Sequence, residues 1–312
     1  ILGPHDSAGR AAVATPGGTG AIRQGLELIK LAAPQATIWL SAPTWPNHPS
    51  IIKYLGMKMA EYRYFDSETR GVDFKGLMAD LENVAEGDVV LLHGCCHNPT
   101  GANLTPDQWD QVAGSLSRTG AFPFLDLAYL GFGDGLLADA YGVRKVAQTC
   151  PEAMIGFSAS KNFGLYRERA GVAIGIARDK DQAAIVLSQM GNVIRASFSQ
   201  SPDHGAEIVR RILTDSKLRA EWETELAEMR DHMLRNREKL AASMRKQSNS
   251  DEFDFIAEHR GMFSLLGATK AQVDELRETH GVYIIGDSRM NIAGLKEDRI
   301  GEVADAVAPV GM

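Results

Sequence analysis

Ala153-Met154-Ile155-Gly156-Phe157-Ser158-Ala159-Ser160-Lys161-Asn162-Phe163-Gly164-Leu165-Tyr166-Arg167-Glu168-Arg169 is the stretch on which the fold turns. Its first five residues form a continuous apolar run, the pattern of a strand buried on both faces. Ser158, Lys161 and Arg169 then fall just beyond that strand. Open α/β sheets hold their ligands at this place, outside the C-terminal ends of the strands. A lysine in a partly desolvated, electropositive setting can keep a neutral amine and form a Schiff base with an aldehyde cofactor. Ser158 and Arg169 suit a phosphate, the guanidinium through a two-pronged contact. In isolation the segment also reads as a solvated lysine and arginine at a strand-helix corner.

Working outward, four more runs have the same character: Thr37 to Ser41, Asp88 to His93, Phe122 to Asp126, and Val172 to Ile176. Helical stretches lie between them, among them Gly20 to Ala32 and Pro106 to Thr119. Thr105 is placed to cap the second of these, with Pro106 at its first position. The alternation predicts an α/β domain with a largely parallel sheet. After about residue 200 the pattern changes. Asp215 to Met244 has no Gly or Pro and reads as one long helix or two in series. Short strands at Phe253 to Ala257 and Met262 to Leu266 follow. A helix near Lys270 to Thr279, a strand at Val282 to Ile285 and a closing helix from Glu297 complete the chain. This is an α+β layout, so the expectation is a large domain over 1–228 and a smaller C-terminal domain over 229–312.

Of the 312 residues, 44% are hydrophobic and 23% charged, ordinary values that argue against disorder. The 33 basic and 40 acidic residues give a net charge of -7, so no electrostatic case for nucleic acid arises. No apolar run is long enough for a membrane span. Cys95, Cys96 and Cys150 fit neither a zinc spacing nor a disulfide framework, which points to a reducing, cytoplasmic setting. The opening Ile1-Leu2-Gly3-Pro4-His5 lacks a Met and lacks the features of a signal peptide.

Several other residues carry chemistry. Asp126 ends an apolar strand, where an unpaired charge is costly, so it wants a cationic partner such as a protonated ring nitrogen, or it caps a turn. Tyr129 follows it, as a functional phenol or a core aromatic. Thr15-Pro16-Gly17-Gly18-Thr19-Gly20 precedes a helix and could present backbone N–H groups to an anion, although its spacing is neither the dinucleotide fingerprint nor a P-loop. His93-Gly94-Cys95-Cys96-His97-Asn98-Pro99-Thr100-Gly101 gathers two histidines and two cysteines without a recognised zinc spacing, so no metal is expected. Arg195 and Arg289 each sit among apolar residues, and alone each reads as a salt-bridged or solvated arginine.

In order and spacing these segments resemble the aspartate/aromatic aminotransferases, pyridoxal-5'-phosphate enzymes of fold type I. The similarity runs from about Ala14 to about Ala308. It is carried above all by His93 to Gly101, by Lys161-Asn162-Phe163-Gly164-Leu165-Tyr166 and by Ser41-Ala42-Pro43-Thr44-Trp45-Pro46-Asn47-His48. The resemblance implies a mostly parallel seven-stranded sheet flanked by helices. It also implies pyridoxal 5'-phosphate as a Schiff base on Lys161, with Lys161 moving the proton at the substrate Cα. Asp126 would pair with the pyridine nitrogen, Tyr129 and Asn98 would bond the phenolic oxygen, and Trp45 would stack on the ring. Gly18, Thr19, Ser158 and Arg169 would hold the phosphate, His93 would lie under the ring, and His48 would support Asp126. Arg289 would take the substrate α-carboxylate. Arg195 would take a distal carboxylate across the interface of a homodimer.

The implied activity is transfer of an amino group from aspartate or aromatic amino acids to 2-oxoglutarate by ping-pong kinetics. A non-catalytic or truncated relative, or another reaction of the cofactor such as aspartate β-decarboxylation, remains compatible with the residues. Only 16 residues precede the Gly-rich turn, fewer than the family carries, so a front segment is expected to be missing. In the family it bears the arm that embraces the other subunit, a tyrosine that reaches the neighbour's phosphate, and residues that close over the substrate. Ala42 stands where the family often has asparagine. Cis peptides are expected at Ala42-Pro43 and Asn98-Pro99.

Overall fold

A computed structural model describes residues 1–3 and 9–310. Pro4 and His5 of the opening segment, and the last two residues of the expected C-terminal domain, lie outside the described residues. The strands are β1 (Arg10–Pro16), β2 (Thr37–Ala42), β3 (Lys58–Arg63), β4 (Val89–His93), β5 (Phe122–Leu127), β6 (Ala153–Ser158), β7 (Ala170–Ile176), β8 (Phe263–Leu265) and β9 (Arg289–Asn291). The helices up to the end of the sheet are α1 (Gly17–Ala32), α2 (Asn47–Tyr54), α3 (Phe74–Leu81), α4 (Pro106–Thr119), α5 (Leu136–Asp139) and α6 (Tyr141–Thr149). Beyond it come α7 (Lys180–Ser197), α8 (His204–Thr214), α9 (Ser216–Ser248), α10 (Phe255–Glu258), α11 (Lys270–His280) and α12 (Ile300–Val307).

The first seven strands form one sheet in the order β1-β7-β6-β5-β4-β2-β3. β7 runs antiparallel to both its neighbours, and the other pairings are parallel. The five apolar runs of the sequence became β2, β4, β5, β6 and β7. The strands without such a signal, β1 and β3, are the edges. β3 exposes most of its residues and buries Tyr62, so no continuous apolar run marks it.

Helices cover both faces, over two buried clusters. One packs Leu77, Leu116, Leu125, Val143 and Ile155 together, and the other Ile22, Leu26, Ile38, Leu91 and Phe124. α4 starts as its sequence predicts. The Thr105 hydroxyl accepts from the Gln108 amide, the Gln108 side chain accepts from the Thr105 amide, and Pro106 takes the first turn. Both proline peptides, Ala42-Pro43 and Asn98-Pro99, are cis.

The C-terminal part departs from expectation in three places. Phe253 to Ala257 forms no strand. Phe253 and Ile256, one helical turn apart, are both buried as the chain enters α10. Val282 to Ile285 alternates half-buried and exposed side chains as a strand would, but pairs with no strand among the described residues. The partner of β8 is β9 instead, with Leu265 opposite Arg289. The closing helix begins with a 3-10 turn at Glu297–Arg299, before α12. The long helix is α9, capped by the Asp215 carboxylate, which accepts from the Lys217 and Leu218 amides. Residues 228 and 229 both lie inside it. A third core gathers Leu240, Met244, Ile256 and Val307 and reaches the sheet edge at Cys96, Tyr129 and Phe132.

Register decides where the chemistry sits. His93 lies opposite Asp126, and Asp126 opposite Gly156. Pro16 lies opposite Ala170, and Ser158 opposite Gly171. The C-terminal ends of β1, β2, β4, β5 and β6 therefore open on one edge, together with the start of β7.

Candidate active site

That edge encloses a cavity of about 130 Å³. Its wall comprises Gly18 and Thr19 after β1, Trp45 after β2, His93 at the end of β4 and Asn98 beyond it, and Asp126 in β5 with Ala128 and Tyr129 beyond it. Ser158, Ser160, Lys161, Tyr166 and Arg169 complete it. Residues scattered over 150 positions converge because parallel strands all end on the same side.

One end of the cavity is built for an anion. Gly17 has φ +72°, and a Cβ there would stand 2.4 Å from Arg169 Nη2. A Cβ on Gly18 would stand 2.7 Å from that of Ser158. Glycine alone lets the turn approach both side chains. No side chain caps α1 and its first turn has no acidic residue, so its free N–H groups face the same space. The Arg169 guanidinium is steadied by the carbonyls of Tyr166 at 2.8 Å and Pro16 at 3.4 Å.

The floor holds a buried carboxylate. Asp126 Oδ2 lies 3.0 Å from His48 Nε2, and both side chains are buried. Burial works against the Asp126 charge. The His48 hydrogen bond, helped by the basic groups around it, outweighs it, leaving the carboxyl below its usual range. His48 Nδ1 lies 2.9 Å from the Thr44 hydroxyl, which lies 3.2 Å from His93 Nε2. Burial, with His48 adding to it and Asp126 opposing, pulls His93 down to about 3, so its ring is neutral. Lys161 is pulled down by burial and by Arg169, against the pull of Asp126. Its Nζ stands 4.6 Å over the Tyr129 ring. Burial raises the Tyr129 phenol, which is therefore a proton donor throughout the ordinary range.

Beyond Asn98 the other end presents a guanidinium. Arg289 Nη1 donates to Asn98 Oδ1 at 2.6 Å, and Asn98 Nδ2 donates to the Tyr129 hydroxyl at 3.4 Å. The Arg289 guanidinium lies 4.8 Å over the Phe263 ring, and its Nε is buried without a partner. A buried donor left open beside a cavity asks for an acceptor.

Most of the residues singled out in the sequence thus meet in one place: Lys161, Asp126, Tyr129, Gly18, Thr19, Trp45, Asn98, Ser158, Arg169 and His93 line the cavity. His48 lies behind Asp126, and Arg289 reaches the wall through Asn98. Arg195 does not join them. It is exposed near the end of α7 and donates to the Ser199 hydroxyl. Sequence reasoning passed over Thr44, Ser160 and Tyr166. For Thr44 the spacing of four to His48 on the entry to α2 was the available signal. His93 and His97 do not combine with the cysteines. His97 sits between the Ser41 and Thr100 hydroxyls and stacks on Tyr64. Among the described residues, the metal-ligating atoms that cluster are those of Cys95, Cys96 and Asp139.

The cavity therefore presents a carboxylate, an amine that burial tends to keep neutral and an arginine beside a glycine turn, with a second arginine behind Asn98. That donor set fits a flat protonated heteroaromatic aldehyde with a phosphate arm, together with an amino acid. Comparisons with known proteins agree. Residues 5–307 match the family described as aminotransferase class I and II. The chain is 53% identical over 302 residues to an aromatic-amino-acid aminotransferase of Paracoccus denitrificans, covering 97% of this chain and 77% of that one. It is 42% identical to an aspartate aminotransferase of Haemophilus influenzae, covering 94% and 74%. A solved aromatic-amino-acid aminotransferase from Burkholderia pseudomallei, covalently bound to pyridoxal phosphate, superposes with a TM-score of 0.97 at 40% identity, covering 99% and 79%.

Proposed function

The chain belongs to the class I and II aminotransferases, with pyridoxal phosphate as cofactor, and on that premise we propose that it moves the amino group of aromatic amino acids and aspartate to 2-oxoglutarate. The observation that carries this reading is the chain Arg289–Asn98–Tyr129, which ends at the Lys161 amine. On this reading Arg289 receives the carboxylate and Lys161 is the base, on either side of the place for a substrate Cα.

When bound, pyridoxal phosphate supplies an aldehyde that condenses with amines and a protonated ring that withdraws electrons from the carbon next to nitrogen. Lys161 would hold the cofactor by its amine, and its Nζ would take the proton from the substrate Cα, where burial helps by disfavouring the ammonium form. Asp126, kept anionic by His48, offers its charge to a protonated ring nitrogen. Tyr129 and Asn98 would bond the ring oxygen, and Trp45 would stack on the ring. Gly18, Thr19, Ser158 and Arg169 would hold the phosphate. Arg289 aligns the amino acid by its α-carboxylate, which fixes the Cα–H direction. The two half-reactions exchange one amino acid and one 2-oxo acid each, so the kinetics are ping-pong.

Arg195 is assigned to the distal carboxylate of aspartate in the neighbouring site of a homodimer, which its exposure on α7 supports. The large unit over 1–228 carries the cofactor, and the small unit over 229–312 brings Arg289. Three unpaired cysteines support a cytoplasmic location. Among the described residues no helix is long and apolar enough to cross a membrane.

The test is the absorbance spectrum of the protein loaded with cofactor, recorded before and after aspartate and then phenylalanine. Conversion of the cofactor band by either, with 2-oxoglutarate restoring the starting spectrum, supports the reading. A band that neither amino acid changes refutes it, and the ratio of kcat/KM for the two amino acids sets the preference.

A further inference from the structure

Arg237 is wholly buried in α9, and its guanidinium forms no ion pair among the described residues. Nη1 donates to the Ile256 carbonyl at 3.0 Å and to the Ser264 hydroxyl at 2.8 Å. Nη2 donates to the carbonyls of Gly261 and Phe263, both at 2.8 Å. Burial, with Arg260 adding to it and Cys96 opposing, pulls the group down to about 9, so it still carries its charge at neutral pH. An apolar side chain of similar volume would fill this place at less cost in desolvation. What a planar guanidinium adds is direction, because it fixes three acceptors on one short segment, and the Ile256 carbonyl before it, at once.

That segment, Gly261 to Ser264, leads into β8. It bears on the carboxylate receptor from two sides. The Phe263 ring lies under the Arg289 guanidinium and edge-on to Tyr129. The adjacent Leu265 pairs with Arg289 in the β8–β9 ladder. On the other side, the Arg260 amide donates to the Gly101 carbonyl at 2.9 Å. A Cβ on Gly101, at φ +79°, would stand 2.3 Å from the Phe263 oxygen. The Asn98-Pro99-Thr100-Gly101 turn therefore rests on the backbone that Arg237 grips.

We propose that Arg237 is a positioning residue for the amino-transfer reaction: by holding the Gly261 and Phe263 carbonyls it aims Arg289 and Asn98 together at the substrate α-carboxylate. This rests on the reading of Arg289 as the carboxylate-binding residue. Arg237 touches neither substrate nor cofactor and acts through the β8 backbone.

The experiment compares Arg237→Lys, Ser264→Ala, Leu240→Ala and Arg289→Lys, each loaded with cofactor and counted by its absorbance. Leu240 is fully buried on the same helix and serves as a packing control. Arg237→Lys is expected to raise KM for phenylalanine and aspartate by about tenfold, with kcat per occupied site within about twofold of the parent. Ser264→Ala, which removes one of the four acceptors, is expected to raise KM by about threefold. Leu240→Ala should lower Tm and leave KM alone. If KM stays at the parent value in both Arg237→Lys and Ser264→Ala while Tm falls as in Leu240→Ala, Arg237 is only a core residue and the inference is overturned. If Arg237→Lys does not fold, Ser264→Ala decides by the same criterion. An unchanged KM in Arg289→Lys would overturn the carboxylate reading itself. A raised KM there with none in the other two sinks the positioning role alone.

Discussion

Arg289 and Asn98, 191 positions apart in the chain, meet through Nη1 and Oδ1 at 2.6 Å across the gap between β9 and the turn after β4. The first belongs to the two-stranded C-terminal sheet, the second to a turn that leaves the large sheet. Asn98 also donates to Tyr129, so one amide side chain spans from the carboxylate receptor to the phenol beside Lys161. Asn98→Ala would leave a second guanidinium donor of Arg289 unpaired. Loss of a hydrogen bond to a charged group costs about 1.5 kcal/mol or more, so KM for the amino acid should rise by roughly tenfold. Steady-state kinetics with phenylalanine checks this, and an unchanged KM would show that Arg289 is aimed without Asn98.

Lys161→Ala removes both the covalent attachment and the base. The expected loss in kcat is about 10⁴-fold or more, while Arg169, Ser158 and the α1 N-terminus still retain the cofactor. Single-turnover absorbance with added phenylalanine separates the two effects. Turnover near the parent rate would remove Lys161 from the mechanism.

Arg195 is exposed and lies outside the cavity of its own chain. If it serves the neighbouring site, Arg195→Ala should lower kcat/KM for aspartate by about a hundredfold and that for phenylalanine by only about twofold, since only aspartate has a second carboxylate. Equal losses for both amino acids would mean that Arg195 has no part in side-chain recognition.

His93 gives the site a pH signature. Its folded-state pKa, about 3, lies below the ordinary 6.5, because burial and the nearby His48 disfavour the imidazolium. Above 6.5 the ring is neutral in both the folded and unfolded chains, and no cost arises. As pH falls from 6.5 toward 3 the unfolded chain binds a proton that the folded one refuses, so stability falls by up to about 1.4 kcal/mol per pH unit from this group. Asp126 acts in a lower window, because its depressed carboxyl loses its contribution only as pH falls below the ordinary carboxylate range. Urea unfolding of the cofactor-free protein between pH 6.5 and 4.5 should therefore show a shallower slope in His93→Asn than in the parent. Identical slopes would exclude His93 as the source.

The sequence by itself determined the sheet interior and most of the site. Strands buried on both faces must be apolar throughout, so β2, β4, β5, β6 and β7 are written as unbroken runs. Asp126 and Ser158 lie at the ends of β5 and β6, Lys161 and Asn98 stand within a few residues of the ends of β6 and β4, and the glycines at 17 and 18 mark a turn that no other residue could make. Edge strands obey no such constraint, which is why β1 and β3 left no signal, whereas the apolar run Val282 to Ile285 read as a strand and yet pairs with none among the described residues. The tertiary structure alone decided the link from Thr44 to His93, the meeting of Arg289 with Asn98, and the grip of Arg237 on the strand beneath them. Each joins residues from separate elements, and a contact made across the fold imposes no period or composition on the chain around either partner.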